Sequence, residues 1–267
     1  MEDKNYRELN SIAIDKWVDN GWVWGRPISS EEFSKAKNGE WSVLLTPLIP
    51  VPKEWFLPFL KEGRLEGTRL LGLASGGGQQ MPVFSALGAS CTIMDYSERQ
   101  LESERLVAER EGYEIEIVKA DMTLNFPFKD ESFDFIFHPV SNCYVEDVYH
   151  VWNECFRVLK KGGVLLSGMG SGVSYLVEDS DPLKVVNKLP YNPLKNPELF
   201  KRSMEDEGDG SVQFSHTMEE QLGGQLKAGF LLTDLYEDFD TEGIGLYYPD
   251  FWASRAVKPL SIPFAPR

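Results

Sequence analysis

Cysteine is scarce in this chain: Cys91, Cys143 and Cys155 are the only three in 267 residues, widely spaced, with no CxxC pair and no Cys/His ligand pattern. That excludes a disulfide framework and a zinc site, and it suits a reducing cytoplasm. Long apolar runs are missing too, none approaching the roughly 18 residues of a membrane span. The first ten residues, MEDKNYRELN, carry no basic-then-apolar signal region. The expectation is a cytoplasmic protein with no membrane partner. Positive charge is short as well: 27 Lys and Arg against 42 Asp and Glu leave a net charge of −15. Such a surface repels phosphate backbones, so nucleic acid is not the expected partner.

What is present is enough apolar material for a large core, 42% of the residues. Five of the seven tryptophans (Trp17, Trp22, Trp24, Trp41 and Trp55) fall within residues 1–66, among turn formers such as Asn20-Gly21 and Asn38-Gly39. This segment reads as an N-terminal cap on the substrate side, its tryptophans either roofing a ligand or packing in a core. From Arg69 the texture changes to short apolar runs alternating with helical patterns: Leu70–Leu73, Gln79–Leu87, Ser90–Met94, Glu98–Glu111, Glu114–Lys119, Phe133–Phe137, Val148–Leu159 and Val164–Ser167. Strand-helix alternation at this spacing predicts an α/β fold, a mostly parallel twisted sheet with helices on both faces.

Punctuation sharpens the boundaries. Ser97 with Gln100 reads as a capping box, and Gly88, Gly112 and Gly162 as helix stops. Prolines 182, 190, 193 and 197 break the pattern, and EDEGDG (Glu205–Gly210) reads as a solvated loop, so 172–210 is an insertion. Thr217 and Glu220 then cap a helix ending near Gly229, with His216 as its entry residue. Phe230–Tyr236 and Phe251–Val257 are the last strands, which makes 67–171 and 211–267 one domain.

The sharpest feature is LGLASGGGQQ, Leu71 to Gln80, with three consecutive glycines directly behind the first strand. In an open α/β sheet that is the carboxyl end of the strands, where ligands bind. No Walker loop is present, because Gln79-Gln80 follow the last glycine. The dinucleotide fingerprint fails at Met81, which disfavours a nicotinamide oxidoreductase. Asp95 closes the second apolar run, placed to accept both hydroxyls of a nucleoside ribose, with Tyr96 beside it. After the third run, Asp121 can accept from an adenine amine while Met122 adds an adaptable apolar wall.

At these residues the sequence resembles the class I S-adenosylmethionine-dependent methyltransferases, from Arg69 to Ser167 and more loosely to Lys258. The resemblance implies a Rossmann-like fold with S-adenosyl-L-methionine as cofactor. It also implies a lining of Ala74, Ser75, Gly76, Gly77 and Gly78, acids Asp95 and Asp121, and His138-Pro139-Val140 after the fourth strand. FRVLKKGGVLL (Phe156–Leu166) looks like the family's segment before its fifth strand. Two positions depart from the family: Gly72 stands where it carries an acid, and Ala74 where it opens the loop with glycine.

The implied activity is methyl transfer to a small-molecule acceptor, with the first 66 residues and the insertion shaping the acceptor site. A non-catalytic S-adenosylmethionine or S-adenosylhomocysteine binding module is the alternative, since no catalytic base stands out. His138 and Tyr144 are the candidates should the acceptor have to lose a proton. Methylation of a nucleic-acid base is disfavoured by HPVS at 138–141, which lacks the Asn/Asp-Pro-Pro-aromatic box.

Overall fold

The structure, a computed structural model, describes residues 5–178, 180–205 and 209–261. Half of the acidic stretch read as a solvated loop, residues 206–208, lies outside them. Two helices lead the chain. In α1 (Tyr6–Asp19) the Asn5 side chain accepts from the amides of Arg7 and Glu8, and α2 (Ser30–Lys37) opens on a reciprocal Ser29/Glu32 capping box. There follow β1 (Arg69–Leu73), α3 (Gln80–Ala86), β2 (Ser90–Asp95), α4 (Glu98–Glu111), β3 (Glu116–Lys119), β4 (Phe133–His138), α5 (Val148–Val158) and β5 (Leu159–Gly170). A short pair, β6 (Val177–Glu178) with β7 (Lys184–Val185), and α6 (Pro197–Met204) occupy the insertion. The chain then closes with α7 (Met218–Ala228), β8 (Leu231–Asp238) and β9 (Phe251–Val257).

Seven strands form one sheet in the order β3-β2-β1-β4-β5-β9-β8. The first five are mutually parallel, and β9 runs antiparallel to both of its neighbours. This is the Rossmann-like arrangement expected from the alternating pattern, and its strand order reverses between β1 and β4.

Both faces are buried, with neighbours along each strand going to opposite sides. Leu70, Phe135, Phe137 and Leu166 enter one core with Phe84 of α3 and Trp55 and Phe56 of the leading segment. Leu71, Leu73, Ile136 and Leu165 enter the other with Trp152 of α5 and Phe230. The leading segment is therefore a packed layer of the domain as well as a cap. It is also stitched to the far edge: Trp55 Nε1 donates to Asp234 of β8 at 2.7 Å, and the Leu48 and Ile49 amides donate to Asp238 at 2.8 and 3.1 Å.

Two of the helix signals behave differently from expectation. Ser97 does cap α4, accepting from the Gln100 amide at 3.2 Å, but Gln100 turns its own side chain towards the Trp24 carbonyl at 3.4 Å, so the box is only half formed. Gly162 is not a helix stop. The α5 helix passes directly into β5 at Leu159, and Gly162, at φ +78°, makes a turn inside that strand's first residues, its amide donating to the Lys258 carbonyl at 2.7 Å.

Candidate active site

The glycine triplet spans the turn from β1 into α3, and each glycine meets a different wall. A Cβ on Gly76 would lie 2.6 Å from Gln100 Cβ and 3.0 Å from Asp95 Oδ2. On Gly77, at φ +98°, it would lie 2.3 Å from the Trp24 carbonyl oxygen, and on Gly78, at φ +69°, 2.7 Å from that of Ser103. No side chain fits at any of the three, and two of them hold a backbone that L-residues avoid. Only Gly76 borders the cleft. Gly77 and Gly78 face away, onto the leading segment and α4. The glutamines complete the clamp: Gln79 Nε2 donates to the carbonyls of Val23 and Arg26 at 2.7 and 3.0 Å.

The two departures from the family have local causes. Ala74 adopts φ +46°, the left-handed conformation that a glycine there would take without strain. At Gly72 a Cβ would lie 2.6 Å from the Met81 sulfur, so the buried Met81 thioether leaves no room for a first-strand acid.

A cavity of about 390 Å³ opens across the carboxyl ends of the strands. Of the residues expected there, Ala74, Ser75, Gly76, Asp95, Tyr96, Asp121, Met122, Pro139 and Val140 line it, whereas Gly77, Gly78 and His138 do not. Asp95 accepts from the Gly76 amide at 3.2 Å and from the Ser97 amide at 2.9 Å. Burial, opposed by those bonds, pushes its carboxyl up to about 6. Asp121 accepts from the Thr123 amide at 2.8 Å and pairs with Arg7 of α1 at 3.3 Å.

His138 is fully buried and structural in its contacts. Its Nδ1 lies 2.9 Å from the Leu73 carbonyl oxygen. Its Nε2 faces the Asn142 side-chain amide at 2.9 Å, which continues to Gln221 at 3.0 Å. Burial holds the ring below its usual pKa, and the chain of contacts ties β1 and β4 to α7. Tyr144 does line the cavity, with burial raising its phenol well above the ordinary value.

Several lining residues carried no readable signal. Arg7, Asn10, Ser11 and Ile14 share one face of α1 at i, i+3, i+4 and i+7 spacing, a pattern that looks the same whether the face meets a core or a ligand. Trp22 and Trp24 also reach the cavity, while Trp41 and Trp55 pack beside Phe56 and Tyr236. From the far side come Gly172, Ser174 and Tyr175 of the insertion, Gln213–His216 after it, and Asp250 before β9. Glu104 is the least predictable. It lies wholly buried in α4, accepting from the Gly78 amide at 2.8 Å, with its other oxygen unpartnered and its carboxyl pushed up to about 8 by burial.

A parallel sheet with this strand reversal, a glycine bend and a carboxylate after the second strand define an α/β enzyme that binds an adenosyl group. Comparison with known proteins narrows the class. The family described as "Methyltransferase domain" matches residues 71–167. A Bacillus subtilis (strain 168) protein, "Uncharacterized methyltransferase YbaJ", is 41% identical over 253 residues, which cover 93% of this chain and 97% of that one. Squalene methyltransferase 1 of Botryococcus braunii is 30% identical over 217 residues, 78% of this chain and 54% of that one. Among solved structures, an S-adenosylmethionine dependent methyltransferase from Mesorhizobium loti superposes with a TM-score of 0.61 at 21% identity, over 76% of this chain and 94% of that one. The chain belongs to the class I S-adenosylmethionine-dependent methyltransferases. Its cofactor is S-adenosylmethionine, and its activity is methyl transfer from that cofactor.

Proposed function

We propose that the acceptor is a small molecule with an apolar body, bound beside the cofactor in the cleft over the strand ends. The observation that carries this reading is the division of the cleft by strand order. Ala74–Gly76, Asp95–Tyr96 and Asp121–Met122 stand at the ends of β1, β2 and β3. Tyr175 and Phe251 stand beyond β5, and the Leu44–Pro47 and Pro139–Ser141 strips run between the two groups together with Phe214, whose amide donates to the Cys143 carbonyl at 2.7 Å and whose ring meets Tyr6 of α1. The relative acting on squalene is consistent with an apolar acceptor.

The residues present suit the cofactor. Gly76 gives a side-chain-free approach, Asp95 offers oxygens for the ribose hydroxyls, Asp121 an acceptor for the adenine amine, and Met122 an apolar wall. When bound, the cofactor supplies an electrophilic methyl on a sulfonium, and positive charge falls as the methyl leaves. This chain's task is then alignment and exclusion of water. The Gly76 amide fixes the Asp95 carboxylate, Arg7 fixes Asp121, and the leading segment with the 172–210 insertion shapes the acceptor side. With His138 enclosed, no imidazole from the strand-four end borders the acceptor.

The test is turnover of isotope-labelled S-adenosylmethionine against a panel of small metabolites, with single-stranded RNA and a protein lysate as controls. Label appearing in one class of small molecule supports the reading. Label confined to RNA or protein would overturn it.

A further inference from the structure

One buried acid in the cleft has no task in holding the cofactor. Asp250, immediately before β9, is 7% exposed and lines the acceptor end of the cavity, and among the described residues no hydrogen-bond donor reaches its Oδ1. Its backbone is fixed, the carbonyl accepting from the Ser171 amide at 2.7 Å, so the side chain is presented by a rigid strand end. A buried carboxylate without a partner is costly, and an enclosed acid left in that condition calls for a ligand donor.

The surrounding charge says which donor. Burial first and the neighbouring Asp240 second push the Asp250 carboxyl up to about 6, so it is an anion at neutral pH with a second acid close by. Among the described residues lining the cavity the one guanidinium is Arg7, at the opposite end and already paired with Asp121 at 3.3 Å. A carboxylate on the acceptor would meet repulsion here, and a hydroxyl would satisfy the hydrogen bond but not the charge. An ammonium satisfies both, and the aromatic residues Tyr175 and Phe251 of the same lining suit a cation further.

We propose that Asp250 is a specificity residue whose carboxylate receives a protonated amine carried by the methyl acceptor, the acceptor's apolar body lying against Tyr175 and Phe251. This rests on the proposed division of the cleft into a cofactor half and an acceptor half. It concerns recognition of the acceptor and leaves open which of its atoms takes the methyl.

The experiment uses the full chain saturated with S-adenosylhomocysteine and titrated calorimetrically at neutral pH. The probes are matched sets of a primary amine, the alcohol and the carboxylate on the same phenylalkyl or alkyl body. The amine is expected to bind at least about tenfold more tightly than the alcohol, and the carboxylate not measurably. In Asp250→Asn the amine's advantage should shrink to roughly threefold or less while S-adenosylhomocysteine affinity holds. An alcohol that binds as tightly as the amine in the wild-type protein, or an amine preference that survives the substitution, would overturn the inference. The wild-type ranking decides the matter even if the variant folds poorly. Absence of heat from S-adenosylhomocysteine itself would instead sink the cofactor half, and this inference with it.

Discussion

The two halves of the cleft are built on different principles. On the cofactor side the chain uses backbone: three glycines, two of them left-handed, and an Asp95 whose oxygens already hold the Gly76 and Ser97 amides. On the acceptor side it uses side chains borrowed from segments far apart in the sequence, the insertion, residues 213–216 and the start of β9. The first half is fixed by local sequence and, on the proposed division, serves a ligand common to many proteins. The second can be remodelled without disturbing the first, which is where acceptor choice belongs.

Substitution of one glycine in each half should separate them most strongly. Gly77→Ala places a Cβ 2.3 Å from the Trp24 carbonyl on a left-handed backbone, and Gly168→Ala places one 2.0 Å from the Leu45 carbonyl, which also accepts from the Val140 amide at 3.1 Å. Each should cost more than about 2 kcal/mol of stability or binding. Gly77→Ala should act mainly on S-adenosylmethionine affinity, and Gly168→Ala mainly on the acceptor step with the cofactor still bound. Equal loss of cofactor affinity in both, measured by calorimetry, would show that the halves are one unit.

Next in size is the pH dependence that Glu104 gives to folding. Its folded pKa of about 8 lies above the ordinary 4.5, so the folded state keeps a proton that the unfolded state gives up. The associated stability is fully present below the unfolded value and is lost as pH rises through 8, at about 1.4 kcal/mol per unit of separation. Asp95 adds the same sign only up to about 6, which leaves pH 6 to 8 as the diagnostic window. Glu104→Gln keeps an acceptor for Gly78 and cannot ionise, so its melting temperature should fall less across that window than the wild type's. Parallel curves would remove Glu104 as the cause.

Asp95→Ala should weaken S-adenosylmethionine binding by about 1–3 kcal/mol, the cost of a lost charged hydrogen bond, while leaving acceptor preference intact. The smallest effect should come from Gln79→Ala, which removes two bonds to the leading segment from a half-buried side chain and should cost about 1 kcal/mol or less of thermal stability. A Gln79 variant as damaged as the Asp95 variant in cofactor binding would show that the clamp, not the carboxylate, makes the site.

The same contrast explains what could be read from the sequence. Glycine stops at Gly112 and Gly229, the Thr217/Glu220 box and the alternating apolar runs are local signals, and they gave α4, α7 and the first four parallel strands to within two residues, whereas β5 runs from Leu159 to Gly170 where only Val164–Ser167 was expected. Asp95 was legible because its place after a strand and behind a glycine bend is itself a local pattern. Gly77 and Gly78 were legible as glycines but not in their direction, because the Trp24 carbonyl and α4 that they meet lie elsewhere in the chain. His138 followed a strand as a ligand-binding residue would, yet its two partners, the Leu73 carbonyl and Asn142, enclose it. Arg7, Glu104 and Asp250 are single charges in unremarkable surroundings, and only tertiary packing gives them meaning.

A structure of the protein with S-adenosylhomocysteine bound tests the account most directly, through the distances from the Asp95 carboxylate to the ribose hydroxyls. The account predicts both hydroxyls within about 3.2 Å of Asp95, the Gly76 backbone against the ligand, and the sulfur turned towards the Pro139–Ser141 strip with Asp250 beyond it. A ligand whose ribose makes no contact with Asp95, or one seated among Tyr175, Phe251 and Asp250, would contradict it.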